Sequence, residues 1–272
     1  MDGRSVGPWA AISIGLAGLL LLGFVGYLLG LSGLSENRTQ RAMVKSFTKS
    51  LGEATAPVGP TAEKKPVAVL SIPSIGISNQ VVVEGTSSRD LMSGPGHLPA
   101  TALPGQAGTS TIFGKRASFG APFRSLLKLQ AGDTITVTTG QGKSTYRVSS
   151  FGDSARPAPA NSANRLLLET AGAGWSPKSV VMVSADLTSP VQDSAGVTPA
   201  TGPNGKPLAR DTAESLIPLT GWSQLLLLTA IAGTVLMSRG ARWPALLCIS
   251  AVATAVLWNV YENAAGLLPN LF

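Results

Sequence analysis

The chain has one cysteine, Cys248, and one histidine, His97, and its other residues of chemical interest include the neighbouring pairs Lys115-Arg116 and Glu169-Thr170. A thiolate is a good nucleophile at neutral pH, but Cys248 lies inside an uncharged run, where it packs as a small apolar residue. A single cysteine also leaves no disulfide within the chain. A threonine attacks only when a base is positioned against it. Lys115 can serve as that base only if burial or a like charge pulls its pKa far below about 10.4. Arg116 is adjacent, yet successive strand residues face opposite sides, and the same alternation turns Thr170 away from the face of Ala171. Lys115 therefore reads as an ion-paired or solvated lysine. His97, in Gly94-Pro-Gly-His97, reads as a loop histidine satisfied by a backbone partner. Without a histidine or cysteine cluster no transition-metal site is expected, and no cofactor is implied.

These residues must be positioned by a domain held between membrane segments. The chain has 272 residues, of which 44% are hydrophobic and only 13% charged, and the apolar residues gather at its two ends. Residues 9–31 form an uncharged run of about 23 residues, enough at about 1.5 Å each to cross a hydrocarbon core of about 30 Å. It is too long for a signal-peptide core and no small-x-small cleavage site follows, so it reads as a retained anchor behind a cytoplasmic N-terminus, 1–8. Residues 219–237 and 244–261 are two further spans joined by a short basic loop, 238–243, followed by a tail, 262–272. Arg239 and Arg242 in that loop predict that it is cytoplasmic, which places the central domain outside a plasma membrane crossed three times. Arg38, Arg41, Lys45 and Lys49 pull the other way. They sit in a basic juxtamembrane segment, within 32–66, whose near-helical spacing suits anionic headgroups or a solvated stalk. The Gly26-x-x-x-Gly30 spacing lets two membrane helices approach closely.

Stretches rich in Ala, Pro, Gly and Thr, within 52–65 and across 188–218, read as flexible tethers. Between them, 67–187 is predicted to be all-β: short Val, Ile and Thr runs alternate with Gly and Pro turns, and Thr134-Ile-Thr-Val-Thr138 has the period of a half-exposed strand. This domain carries ten bases and six acids, a net charge of +4, which suits an anionic envelope or a protein partner. Nucleic acid fits poorly, since the interleaved aromatic and basic residues of its readers are missing.

Two segments carry a family resemblance: Thr111-Ile-Phe-Gly-Lys-Arg-Ala-Ser-Phe-Gly-Ala-Pro-Phe123 and Leu166-Leu-Leu-Glu-Thr-Ala171. They resemble the active-site segments of sortases, with the reactive residues replaced. The match continues in order through Leu70-Ser-Ile-Pro-Ser-Ile-Gly-Ile77, Val81-Val-Val-Glu-Gly85, 93–105, Gly120-Ala-Pro-Phe-Arg-Ser-Leu126, 129–137 and Thr145-Tyr-Arg-Val148. The resemblance implies a closed β-barrel of about eight strands, here an ectodomain with one N-terminal and two C-terminal transmembrane helices. It also implies a cysteine nucleophile, a histidine general acid and an arginine for substrate or oxyanion. At those positions this chain has Ala171, Lys115 and, within a residue or two, Val180 or Ser179. Lys178 keeps a positive charge nearby without the bidentate fork of a guanidinium.

The expectation is a catalytically inactive, sortase-like scaffold for a membrane or cell-envelope partner, touching it through a groove around Lys115, Arg116, Glu169, Thr170, Lys178 and His97. The alternative is a peptidase or transpeptidase that uses non-standard residues or is completed by a partner chain.

Overall fold

The protein is described here by a computed structural model covering residues 8–172, 179–197, 208, 212–240, 243–268 and 270–271. One long helix opens it. Helix α1 (Pro8–Gly26) passes through a π-helical turn, Tyr27–Leu31, directly into α2 (Ser32–Gly52). Ser32, Glu36, Gln40 and Phe47 recur at helical spacing on one side of α2 and are buried, while Arg38, Arg41, Lys45 and Lys49 are exposed. The basic segment foreseen as a stalk or a headgroup ligand is thus an amphipathic helix whose other face lies on the barrel.

The barrel is built from β1 (Pro66–Ile72), β2 (Ile77–Glu84), a short helix α3 (Ser88–Ser93), β3 (Gly96–His97), β4 (Thr109–Phe113), β5 (Thr134–Thr139), β6 (Gly142–Asp153), β7 (Arg165–Ala171) and β8 (Val180–Leu187). It closes in the order β1-β2-β3-β4-β7-β8-β6-β5. Among these described strands, β2 with β3 and β4 with β7 run parallel. Alternation fills the interior: Leu70, Ile112, Ile135, Val137, Leu166, Leu168 and Val183 meet in one core with Phe123 and Tyr146. In β5 the isoleucine and valine point in and most of the threonines stay nearer water, as the sequence pattern predicts.

Two expected tethers are instead laid along this barrel where they are described. Lys64 donates its N–H to Glu84 O at 2.8 Å, Glu84 returns one to Lys65 O at 2.8 Å, and Gln106 Nε2 holds Val58 O at 2.9 Å. On the other side Gln192 N bonds Gly105 O at 2.8 Å and Gln141 Nε2 bonds Asp193 O at 2.6 Å. These bonds to backbone groups need no hydrophobic periodicity, which is why composition alone suggested loose chain. Residues 198–207 and 209–211 lie outside the described part.

Helices α4 (Thr212–Ser238) and α5 (Trp243–Ala265) pack as a hairpin, with Pro218 inside α4. Together with the first helix they make three helices long and apolar enough to cross a membrane. The hairpin meets α1 through aromatic rings: Tyr27 lies 5.1 Å from Trp258 and 5.9 Å from Tyr261, and Tyr261 donates to Leu20 O at 2.8 Å. Close approach occurs at Gly23, where an added Cβ would stand 2.6 Å from the Tyr261 hydroxyl. Nothing packs within 4 Å of that position at Gly26 or Gly30, so the spacing noted in the sequence is not the contact used within the chain. Tyr27 also reaches the barrel, edge-on to Phe119 at 6.4 Å, and Ser215 meets Gly266 at the ends of α4 and α5. The barrel consequently sits at the end of α1, the start of α4 and the end of α5, away from the 238–243 loop.

Candidate functional site

Parallel pairing of β4 with β7 runs from Thr109 opposite Arg165 to Phe113 opposite Glu169, and Gly114 N continues it to Glu169 O at 3.0 Å. Ile112, Leu166 and Leu168 face the core, so Phe113, Glu169 and Ala171 fall on the outer face. Lys115 follows two residues after the end of β4, and Ala171 ends β7 two residues after Glu169. The opposite face takes Thr170, whose hydroxyl donates to Gly114 O at 2.8 Å. Thr170 thus does not face Lys115, as strand alternation predicts.

Lys115 is not the solvated or ion-paired lysine that the sequence suggests. It is 1% exposed, its Nζ donates to Asn270 O at 2.8 Å and lies 5.6 Å from the Phe119 ring centre. Burial removes the hydration of the ammonium and lowers the pKa to about 7. Burial acts on Glu169 in the opposite sense and raises its carboxyl to about 7. Arg116, just beyond the strand, is not bound by alternation. Its backbone N–H bonds Leu271 O at 3.0 Å and its guanidinium bonds Gly172 O. A guanidinium therefore borders the cleft from the β4 side, not from β8.

The roof of the cleft is the segment that follows α5. Leu267 and Leu268 turn back onto the last α5 carbonyls, and Asn270 and Leu271 cross the ends of β4 and β7. Leu271 is buried with Leu91, Phe113 and Ala171, and Leu98, Val180 and Leu208 border this cluster. Leu91 is held there by a capping box at the start of α3, in which Ser87 Oγ accepts from Asp90 N at 3.3 Å and Asp90 Oδ2 from Ser87 N at 3.0 Å. Asn270 Nδ2 adds a bond to Thr86 O at 3.3 Å.

Lys115, Arg116, Ala171 and Val180 are thus gathered around Leu271, with Glu169 on the same outer face. His97 is apart from them. Its Nδ1 lies 2.8 Å from Glu84 Oε2 and its Nε2 lies 3.0 Å from Ala102 O, with Thr101 Oγ1 at 3.1 Å, so it ties β3 to β2 and to the following loop. A backbone partner was expected; the buried carboxylate was not. Lys178 lies outside the described residues. Asn270, Leu271 and Phe119 were missed from the sequence. The signal that could have found the first two was that 266–272, Gly-Leu-Leu-Pro-Asn-Leu-Phe, is uncharged and apolar yet too short to span a bilayer. Among the described residues no group of three His, Cys, Asp or Glu side chains is placed to hold a metal.

The family profile described as the sortase domain matches residues 70–182. Sortase E from Streptomyces avermitilis is 31% identical over 47% of this chain and 91% of its own, with a TM-score of 0.41. A Clostridium perfringens sortase D5 transpeptidase is 21% identical, over 56% of this chain and 99% of its own, with a TM-score of 0.48. A Corynebacterium diphtheriae sortase is 24% identical, over 49% of this chain and 89% of its own, with a TM-score of 0.43. No curated protein matches.

Proposed function

The chain belongs to the sortase family, and on that premise we propose that it is a member that holds polypeptide without cutting it. It acts as an extracytoplasmic binding or scaffold subunit of the plasma membrane, serving a membrane or cell-envelope partner. The observation that carries this reading is Ala171. At the end of β7, where the resemblance places the thiol, a methyl group is packed beneath Leu271. A methyl carries no lone pair with which to attack a carbonyl. The histidine position holds Lys115, and Val180 in β8 offers no guanidinium. Cys248 lies in α5, among residues apolar enough to be in the bilayer, and is no substitute.

The intact chain in lipid nanodiscs, given sorting-signal and cell-wall peptides, is expected to release no product and to form no acyl adduct by mass spectrometry. A photo-crosslinker at Arg116 in living cells is expected to capture a polypeptide partner. Turnover that disappears in Lys115→Ala would overturn the reading.

One observation favours the second reading, an enzyme of altered chemistry. Burial brings Lys115 to about 7, where an amine can take up or release a proton at neutral pH. Against it, Thr170 is turned inward and the Lys115 amine is already bonded to Asn270 O. The same turnover assay separates the two.

A further inference from the structure

We propose that a polar cavity between the barrel and the helices is a binding site for the headgroup of an anionic phospholipid, a phosphodiester that carries hydroxyls. The inference goes beyond the reading above and rests on one part of it, that the three apolar helices cross a bilayer.

The cavity measures about 440 Å³, within the range of about 300 to 1,000 Å³ of small-molecule sites. Residues of α2, α3, α4 and α5 line it, and Lys64 joins them from the segment before β1. Its depth follows from the sequence. The uncharged runs end at 31, begin at 219 and end at 261, and the lining residues Ser35, Pro218 and Glu262 stand just past those points. A cavity there lies at the level of lipid headgroups, and Trp222, one turn further into α4, is of the residue type that favours that level. Leu34 and Ile217, next in sequence to Ser35 and Pro218, are 51% and 75% exposed, so acyl chains find apolar surface beside the polar lining.

The polar groups are held in place. Arg89 on α3 is oriented by α5: its Nη2 donates to Asn263 Oδ1 at 2.6 Å, and Asn263 is itself turned by the bond from its Nδ2 to Asn259 O at 2.8 Å. Glu262 accepts from Ser35 Oγ at 3.0 Å, which ties α5 to α2 across the same space. Met92, packed on the cluster of Tyr27, Leu28 and Phe119, backs the lining. Two cations, Lys64 and Arg89, and one carboxylate, Glu262, leave a balance of one positive charge, which matches the single negative charge of a phosphodiester. A guanidinium can engage two phosphate oxygens at once, and Lys64 adds a point charge. Glu262 accepts hydrogen bonds from hydroxyls and repels a second negative charge. Phosphatidylcholine, neutral overall and with no hydrogen to donate from its ammonium, satisfies neither requirement.

The test uses the full chain in detergent micelles, titrated with phosphatidylglycerol, phosphatidylcholine or soluble glycerol 3-phosphate, with bound species counted by native mass spectrometry. One phosphatidylglycerol is expected to bind at least about tenfold tighter than phosphatidylcholine. Arg89→Gln is expected to weaken that binding about tenfold, and Lys64→Gln, at an exposed residue, about threefold. Lys45→Gln, on the exposed face of α2 and outside the cavity lining, is expected to change nothing. Equal binding of the two lipids, or equal losses in Arg89→Gln and Lys45→Gln, overturns the inference. So does glycerol 3-phosphate binding as tightly as the lipid, which would make the cavity a site for soluble phosphate esters. Should Arg89→Gln not fold, Lys64→Gln decides, and undiminished binding by it overturns the inference. Alkaline carbonate extraction of membranes separates this inference from its premise. Release of the chain would sink the membrane reading, whereas a chain that stays in the bilayer and binds both lipids alike sinks this inference alone.

Discussion

Lys115, just past the end of β4, and Glu169 in β7 are both buried, and each resists its own charged form. For Lys115 the pKa falls from 10.5 to about 7 on folding. Between those values the unfolded chain binds the extra proton, so stability rises with pH through that window. For Glu169 it rises from 4.5 to about 7, so the folded state holds the proton there and stability falls as pH climbs from 4.5 to 7. The two slopes meet near neutrality. Relative to a Lys115→Met/Glu169→Gln variant, the native protein is expected to be least stable near pH 7, by a few kcal/mol, because each tenfold change in proton affinity on folding is worth about 1.4 kcal/mol. Melting temperatures of both proteins across pH 4.5 to 10.5 check this, and a flat difference curve would refute it. A second expectation concerns Ala171→Cys. A thiol introduced there would have no histidine beside it, and general acid–base help is worth about 10² to 10⁴ in rate. Peptide turnover by this variant is therefore expected to stay at background; robust product would show that Lys115 replaces the histidine.

At the scale of elements, the attachment of α2 depends on Gln40. Its Nε2 donates to Val81 O at 3.0 Å and to Ser93 O at 2.8 Å, and its Oε1 accepts from Val81 N at 2.8 Å. Gln40→Ala strands buried backbone groups at about 1 to 3 kcal/mol each, so the barrel is expected to melt several degrees lower. An unchanged melting curve would show that water takes over those bonds. This attachment also marks where the sequence stops being readable. The strands were legible because Ile135 and Val137, or Leu166 and Leu168, alternate with outward residues, and the spans because twenty-odd uncharged residues have few other uses. Gln40, Lys64 and Gln192 gave no such signal, since a single side-chain or backbone bond to a distant segment leaves no period behind. Likewise nothing near Lys115 in sequence announces its burial. The cover arrives from residue 270, and a lysine without that cover is ordinarily solvated. That position 171 carries only a methyl was legible; that Leu271 packs against it was not.

For the whole molecule, the three helices meet the barrel at the end of α1, the start of α4 and the end of α5. Were all three to cross a membrane, the barrel would lie on the side opposite the end of α4 and the start of α5. In a Cys248→Ser background, Lys143→Cys at the exposed β5–β6 turn is expected to react with a membrane-impermeant maleimide on intact cells. Arg239→Cys is expected to react only after permeabilisation. The reverse pattern would put the barrel in the cytoplasm and end the envelope reading. The unbroken passage of α1 through the π turn into α2 has a mechanical corollary. With 21 residues at about 1.5 Å each, α2 runs some 30 Å along the barrel wall, so the domain is bolted to its anchor with no swinging arm. On the envelope reading proposed above, such a domain would not reach cargo deep in a cell wall. A polypeptide partner would then have to be brought to it at the lipid surface, membrane-bound or just emerging from the bilayer.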